Sequence, residues 1–286
     1  MPGGDGRVFG FVQFEFPLLL GPPDGRFLVR SRPGADPERV LVLSTLGAPQ
    51  RRLLGRRRGR RLTTAEIEPV ATTRATVVNA EAFADRRAAE AWLARVRKGA
   101  DEADAETRQA LQIINRALLA HRSARADPYT WDVAAESALV VRLGFGSGDA
   151  VAEGRYADAC EVPRERRHTK RSMEAPEERF AALLGAREAV LACEDLVLRA
   201  RADLDAGRVR QAALQARVAL ESLLAELGAD VPGARREGLF AARDPVGAAA
   251  NEALRGEPTP EAATALGEAV ERMEAALRAH RLGSAS

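Results

Sequence analysis

Hydrophobic and polar residues alternate over residues 7–16 (RVFGFVQFEF), which predicts a strand. The turn signal Gly21-Pro22-Pro23-Asp24-Gly25 follows, then the short apolar run within Arg26–Arg30. These two segments together predict a hairpin with a long loop. Val40–Ser44 and Arg74–Ala80 are a third and a fourth strand by the same criteria. The N-terminal region therefore predicts a mainly antiparallel sheet.

From Asp85 onward the period changes. Ala89, Trp92, Leu93 and Val96 recur at helical spacing, and Asp85 is placed to cap a helix running to about Lys98. Gly99–Glu106 carries Asp101, Glu102, Asp104 and Glu106 and predicts a break. A second helix carries Leu111, Ile114 and Leu118 on one face, ends near Arg122, and is closed by Asp127-Pro128. Ala138–Leu143 fits a fifth strand or a short buried helix, since a run that short suits both. Gly144, Gly146 and Gly148 predict a flexible turn before a short helix capped by Asp149.

Residues 163–177 (PRERRHTKRSMEAPE) are polar and basic, with prolines near both ends, and read as a linker. Beyond it, Phe180–Asp205 predicts one long helix. Gly207 interrupts, and Val209–Leu227 predicts a second helix with Gly228 at its C-terminus. A loop rich in Gly, Pro and Asp follows. Thr259-Pro260-Glu261 then combines a capping hydroxyl, a first-position proline and a first-turn acid. Leu266, Val270, Met273 and Leu277 form the stripe of this third helix, which Gly283 ends. The expected architecture is α+β: a small mainly antiparallel sheet with helices over 1–162, a basic linker over 163–177, and a three-helix module over 178–283.

Composition changes this picture in three ways. Aromatic residues are only 5% of the chain, so the core must rest on Leu, Val and Ala. The net charge is +2, which implies no global attraction to nucleic acid or a lipid surface. Of the 43 basic residues only Lys98 and Lys170 are lysine, so a run of arginines carries less information here than in an ordinary chain. Cys160 and Cys193 are not paired as C-x-x-C and cannot make a tetrahedral metal site alone. Met1–Gly10 contains an aspartate and no apolar core, and Phe9–Leu20 is interrupted by Gln13, Glu15 and Pro17. Neither reads as a signal peptide or a membrane span, and the expected location is the cytoplasm with no membrane partner.

Two clusters could meet a polyanion. Arg51, Arg52, Arg56, Arg57, Arg58, Arg60 and Arg61 carry seven positive charges with no acid between them. Arg164, Arg166, Arg167, Lys170 and Arg171, with His168, are offset only by Glu165. Guanidinium groups suit phosphate through planar paired donors. Aromatic residues for base stacking are not interleaved with the first cluster, which reads as a solvated loop between strands.

The remaining candidate chemistry is sparse. Gly144-Phe145-Gly146-Ser147-Gly148-Asp149 matches neither the Walker pattern nor G-x-G-x-x-G, and Ser147 lacks a G-x-S-x-G context. Asp195 with Arg199, and Glu268 with Arg272, stand four apart with the acid first and read as surface ion pairs. No nucleophile–base pair, metal set or cofactor fingerprint is present in the pattern, so no cofactor is expected.

Leu204-x-x-Gly207-Arg208-Val209-x-x-Ala212-x-x-x-Ala216-x-x-Ala219-Leu220 resembles a single tetratricopeptide hairpin. The resemblance spans residues 187–227. Its first helix is longer than the repeat uses, its aromatic positions are absent, and no second copy is found. The resemblance implies a protein-binding surface, with Leu204, Val209, Leu220 and Leu224 as candidate contacts. Arg116 and His121 have the arginine-x4-histidine spacing seen in the HEPN class of small helical ribonucleases. Nearly one and a half helical turns separate the pair, and that family uses a dimeric helical bundle not expected around residue 116. The leading expectation is a non-catalytic protein-interaction or regulatory protein acting through its C-terminal helices. The alternative is a nucleic-acid or other polyanion binder using the arginine clusters.

Overall fold

A computed structural model describes residues 6–47, 70–162, 176–228, 231 and 233–284. The protein is α+β and divides into two compact units, Met1–Arg166 and Arg167–Ser286. Residues 163–175 of the expected linker lie outside the described residues.

The first unit is built on one antiparallel sheet. Its strands are β1 (Val8–Phe16), β2 (Gly25–Val29), β3 (Arg39–Leu46), β4 (Thr72–Asn79), β5 (Val140–Ser147) and β6 (Asp158–Glu161), in the order β2-β3-β4-β1-β5-β6. Period-2 alternation sends Val12, Phe14 and Phe16 of β1 to one face, where helices α1 (Arg86–Lys98) and α2 (Ala100–Arg125) cover them with Val96, Ile114 and Leu118. Phe11 points to the opposite face and packs with Val42, Val78 and Val151, the last from the short helix α3 (Gly148–Ala152). Asp85 caps α1, its Oδ1 accepting the Ala88 N–H at 2.7 Å. Arg97 near the end of α1 donates to Asp158 Oδ1 at 2.7 Å and to the Ala159 carbonyl at 3.2 Å, which ties the helix to β6. Asn115 of α2 exchanges both of its amide bonds with the Val133 backbone, at 2.9 and 3.0 Å, and so anchors the connection that leads into β5.

Three expectations for this unit are corrected. Segments 8–16 and 25–29 are not a hairpin: β2 pairs with β3, while β1 is central, between β4 and β5. The connection between them is instead held across the sheet, where Thr73 Oγ1 accepts the Leu20 N–H and donates to the Leu18 carbonyl. The break after Lys98 is confined to Gly99, and the acidic stretch after it is already helical. It forms the first turn of α2, where Asp101 and Glu102 meet the positive end of the helix dipole. Gly144 and Gly146 belong to β5 and not to a flexible turn. A Cβ at Gly144 would lie 2.5 Å from the Asp158 carbonyl oxygen and 2.8 Å from the Phe11 ring, so this glycine lets β6 and Phe11 close on the strand.

The second unit holds α4 (Pro176–Leu184), α5 (Ala192–Asp205), α6 (Val209–Leu227), α7 (Gly233–Ala241), α8 (Arg243–Arg255) and α9 (Pro260–Ser284). It is therefore more than a three-helix module. The long helix expected over 180–205 is two helices. Ala186 adopts a left-handed φ of 53° and the Arg187 N–H bonds the Ala182 carbonyl, which ends α4 and turns the chain. The expected Gly- and Pro-rich loop contains α7 and α8. Asp244 and Pro245 sit in the first turn of α8, where both are tolerated, and burial of Val246, Ala249, Ala250 and Ala253 outweighs the poor local propensity. The α9 start is as the sequence reads it, with Thr259 Oγ1 accepting the Ala262 N–H.

The core of this unit is rich in alanine. Ala200, Ala212, Ala216, Ala219 and Ala269 are all at 0% exposure and let helices approach closely, while Leu220, Leu223, Leu266 and Met273 fill the space between. Fully burying each of these leucines is worth about 2 kcal/mol.

Candidate functional site

The α5–α6 hairpin places the predicted contact residues inward. Leu220 is 1% exposed, and Leu204, Val209 and Leu224 pack against the same core. Leu220 is buried in the bundle core, and the other three are partly buried against it. The large apolar side chains exposed on these helices lie elsewhere. Leu214 and Val218 of α6, Leu254 of α8, Leu198 of α5 and Phe240 of α7 are between 37% and 64% exposed. Beside Leu214, Arg210 donates to the Ala253 carbonyl and Arg217 to Asn251 Oδ1, so the exposed stripe of α6 is stitched to α8. Arg243 pairs with Glu221 at 2.6 Å and lies 5.0 Å over the Phe240 ring, which adds a second link between these helices. Asp195–Arg199 and Glu268–Arg272 are exposed i,i+4 pairs, as their spacing implies.

Among the described residues of this unit one carboxylate is buried. Glu194 of α5 is 4% exposed and accepts bonds from Arg179 of α4, Arg281 of α9 and the Leu191 N–H. Burial pulls its carboxyl upward, but the Arg179 bond, the Leu191 N–H and the two guanidinium charges outweigh that and hold it below the usual range. Sequence reasoning missed this residue. The signal was a lone acid on the apolar stripe Cys193–Val197–Ala200. The neighbouring Cys193 is buried, and its thiol is pushed up to about 12, first by burial and then by the Glu226 carboxylate. Cys160 is also raised by burial. Both shifts favour the neutral thiol over the reactive thiolate.

In the first unit, the sheet face away from α1 and α2 carries a polar row. Gln13 donates to Thr76 at 3.1 Å, and Glu15 accepts from Arg142 at 3.0 Å and from Arg74 at 3.4 Å. Arg142 also donates to Glu161 at 3.2 Å. Glu15, Arg74, Arg142 and Glu161 thus pair with one another across β1, β4, β5 and β6. Among the described residues no three His, Cys, Asp or Glu side chains could share a metal ion.

An apolar cleft lies between β2 and the C-terminal half of α2. Its volume is about 350 Å³. Ile113, Ala117, Ala120 and Ala124 recur along α2 and form one wall, while Phe27, Val29 and Leu41 of the sheet form the other. Arg116 and His121 flank the α2 stripe on opposite sides, about 140° apart around the helix axis, and both still line the cleft. Arg30, just past the end of β2, is the third basic residue. Gly21, next to the lining residue Pro22, has φ +104°, and a Cβ there would sit 3.2 Å from His121 Nε2. Sequence reasoning singled out Arg116 and His121 but missed Phe27 and Arg30. The available signal was three consecutive apolar residues in β2, Phe27-Leu28-Val29, on a strand too short to bury both faces.

Arg51–Arg61 and Arg164–Arg171, the proposed polyanion contacts, lie outside the described residues. Among the described residues no helix is long and apolar enough to cross a membrane. Compared with known proteins, the chain matches no family model, no curated protein and no solved structure.

Proposed function

We propose that the chain is a non-catalytic protein-interaction protein that engages its partner through the outer face of the C-terminal helices. The observation that carries this reading is the set of large apolar side chains on α6 and α8, namely Leu214, Val218 and Leu254, exposed on helices whose own core is already complete. A bundle gains nothing in its own folding from apolar groups held in water, and an apolar patch rimmed by arginines and acids is a common feature of protein interfaces. The tetratricopeptide-like hairpin of α5 and α6 supports the reading, since Ala212, Ala216 and Ala219 pack at 0% exposure at the spacing such hairpins use. The contacts proposed here are the more exposed ones, since Leu220 is buried and Leu204, Val209 and Leu224 are partly buried.

The test is affinity capture by the full chain from cells that express it, wild type against a variant carrying Leu214→Ser, Val218→Ser and Leu254→Ser. A protein retained by the wild type and lost by the variant, confirmed by direct titration of the purified pair, is the expected result. An identical retained set for both chains, with wild-type thermal stability in the variant, overturns the reading.

A further inference from the structure

The cleft between β2 and α2 has the chemistry of a ligand site, independent of the C-terminal surface. Its volume of about 350 Å³ falls in the range of sites for small molecules. Its walls are aliphatic and aromatic: Ile113, Ala117, Ala120, Phe27 and Leu41. Among the described residues its charged and ring-nitrogen side chains are Arg30, Arg116 and His121, and no carboxylate lines it. Arg30 and Arg116 make no ion pair or side-chain hydrogen bond among the described residues. That sets them apart from Arg74, Arg97, Arg142, Arg201 and Arg243, each of which is held by an acid.

We propose that this cleft binds a small amphipathic carboxylate, an apolar chain or ring bearing one carboxylate group. The apolar portion lies against the Ile113–Ala117–Ala120 stripe and Phe27, where it is removed from water. The carboxylate is held at the rim by the guanidinium groups of Arg116 and Arg30, whose planar paired donors match its geometry. The charge of the cleft disfavours two other classes of ligand. A cationic amphiphile would meet like charge from both arginines, and a neutral hydrocarbon would leave them unused. The basic cluster of Arg7, Arg86 and Arg155 near the end of β5 is a weaker site for an anion, since Arg86 and Arg155 are already paired with Glu90 and Glu153.

The experiment is isothermal titration calorimetry of the full chain with octanoate, decanoate and 2-naphthoate below their aggregation concentrations, with decylamine as the cationic control. Saturable one-to-one binding of at least one carboxylate, and none of the amine, is expected. Arg116→Gln with Arg30→Gln weakens that binding about tenfold while leaving the unfolding transition in place. Ala120→Trp fills the cleft from an exposed position on α2 and abolishes binding. If none of the three carboxylates binds below about 1 mM, the proposal is wrong. It is equally wrong if binding survives Ala120→Trp unchanged, since the ligand then sits elsewhere. A result of this kind leaves the reading of the C-terminal surface untouched, because that reading rests on different residues.

Discussion

Replacing Glu194 by glutamine tests how the C-terminal unit is held together. The substitution keeps the shape of the side chain and removes its charge. In the wild type the carboxylate receives Arg179 at 2.7 and 3.0 Å, Arg281 at 3.1 and 3.2 Å, and the Leu191 N–H at 3.2 Å. Removing one partner from a fully buried ion pair costs about 3–5 kcal/mol. Here the two arginine side chains are 28% and 24% exposed and can recover part of their hydration, so the expected loss is about 2 kcal/mol. At a urea m-value of about 2 kcal/mol/M this moves the midpoint down by about 1 M. Both tryptophans, Trp92 and Trp131, and both tyrosines belong to the first unit, so fluorescence reports that unit while far-ultraviolet circular dichroism also follows the helical one. Glu194→Gln should therefore shift the dichroism transition and leave the fluorescence transition in place. The pH dependence adds a second constraint. The folded carboxyl is held below its ordinary value, so its stabilisation is present in full above the unfolded value and is lost as pH falls through the folded one. The gap between wild type and variant should be widest near neutrality and close in acid. A variant whose dichroism midpoint moves by less than about 0.2 M at neutral pH refutes the assignment of Glu194 as the junction of α4, α5 and α9.

Gly144→Ala should destabilise the first unit by about 1–3 kcal/mol, because its Cβ collides with the Asp158 carbonyl and the Phe11 ring; an unchanged Trp fluorescence transition in urea rules out that packing. Cys193, at 0% exposure with its thiol pushed up to about 12, should resist a water-soluble disulfide reagent at pH 8 in the folded protein and react once urea unfolds the helical unit. Rapid labelling of Cys193 in the folded protein, located by peptide mass spectrometry, contradicts its placement. The Leu214→Ser, Val218→Ser, Leu254→Ser variant should keep its melting temperature within about 3 °C, since these side chains are exposed; a collapse in stability would make them core residues and remove the basis for a docking surface.

Much of the local structure was legible in the chain because the signals are local. Asp85 as a cap, the Val209–Leu227 helix and the Thr259-Pro260 start follow from side chains acting on backbone groups a few residues away. The candidate sites were much less legible. Leu204, Val209, Leu220 and Leu224 have the right spacing for a surface or for a core, and the spacing of a hairpin does not say which side faces water. Arg30 and Arg116 come from a strand edge and a distant helix, and nothing in either segment signals that they share a cleft.

The sequence by itself determined the element types with strong periodicity, the α+β class and the scarcity of aromatic anchors. Those depend on side-chain spacing and on the hydrogen bonds of single segments. Tertiary structure decided strand partners, the break between α4 and α5, and the helical state of 233–255. β2 pairs with β3 and not β1 because the central position of β1 lets its two faces bury against α1 and α2 on one side and α3 on the other. The α4–α5 turn brings Arg179 to Glu194, a contact no local propensity encodes. Gly144, a turn former by local rules, is a strand residue here because only its missing Cβ admits Phe11 and β6.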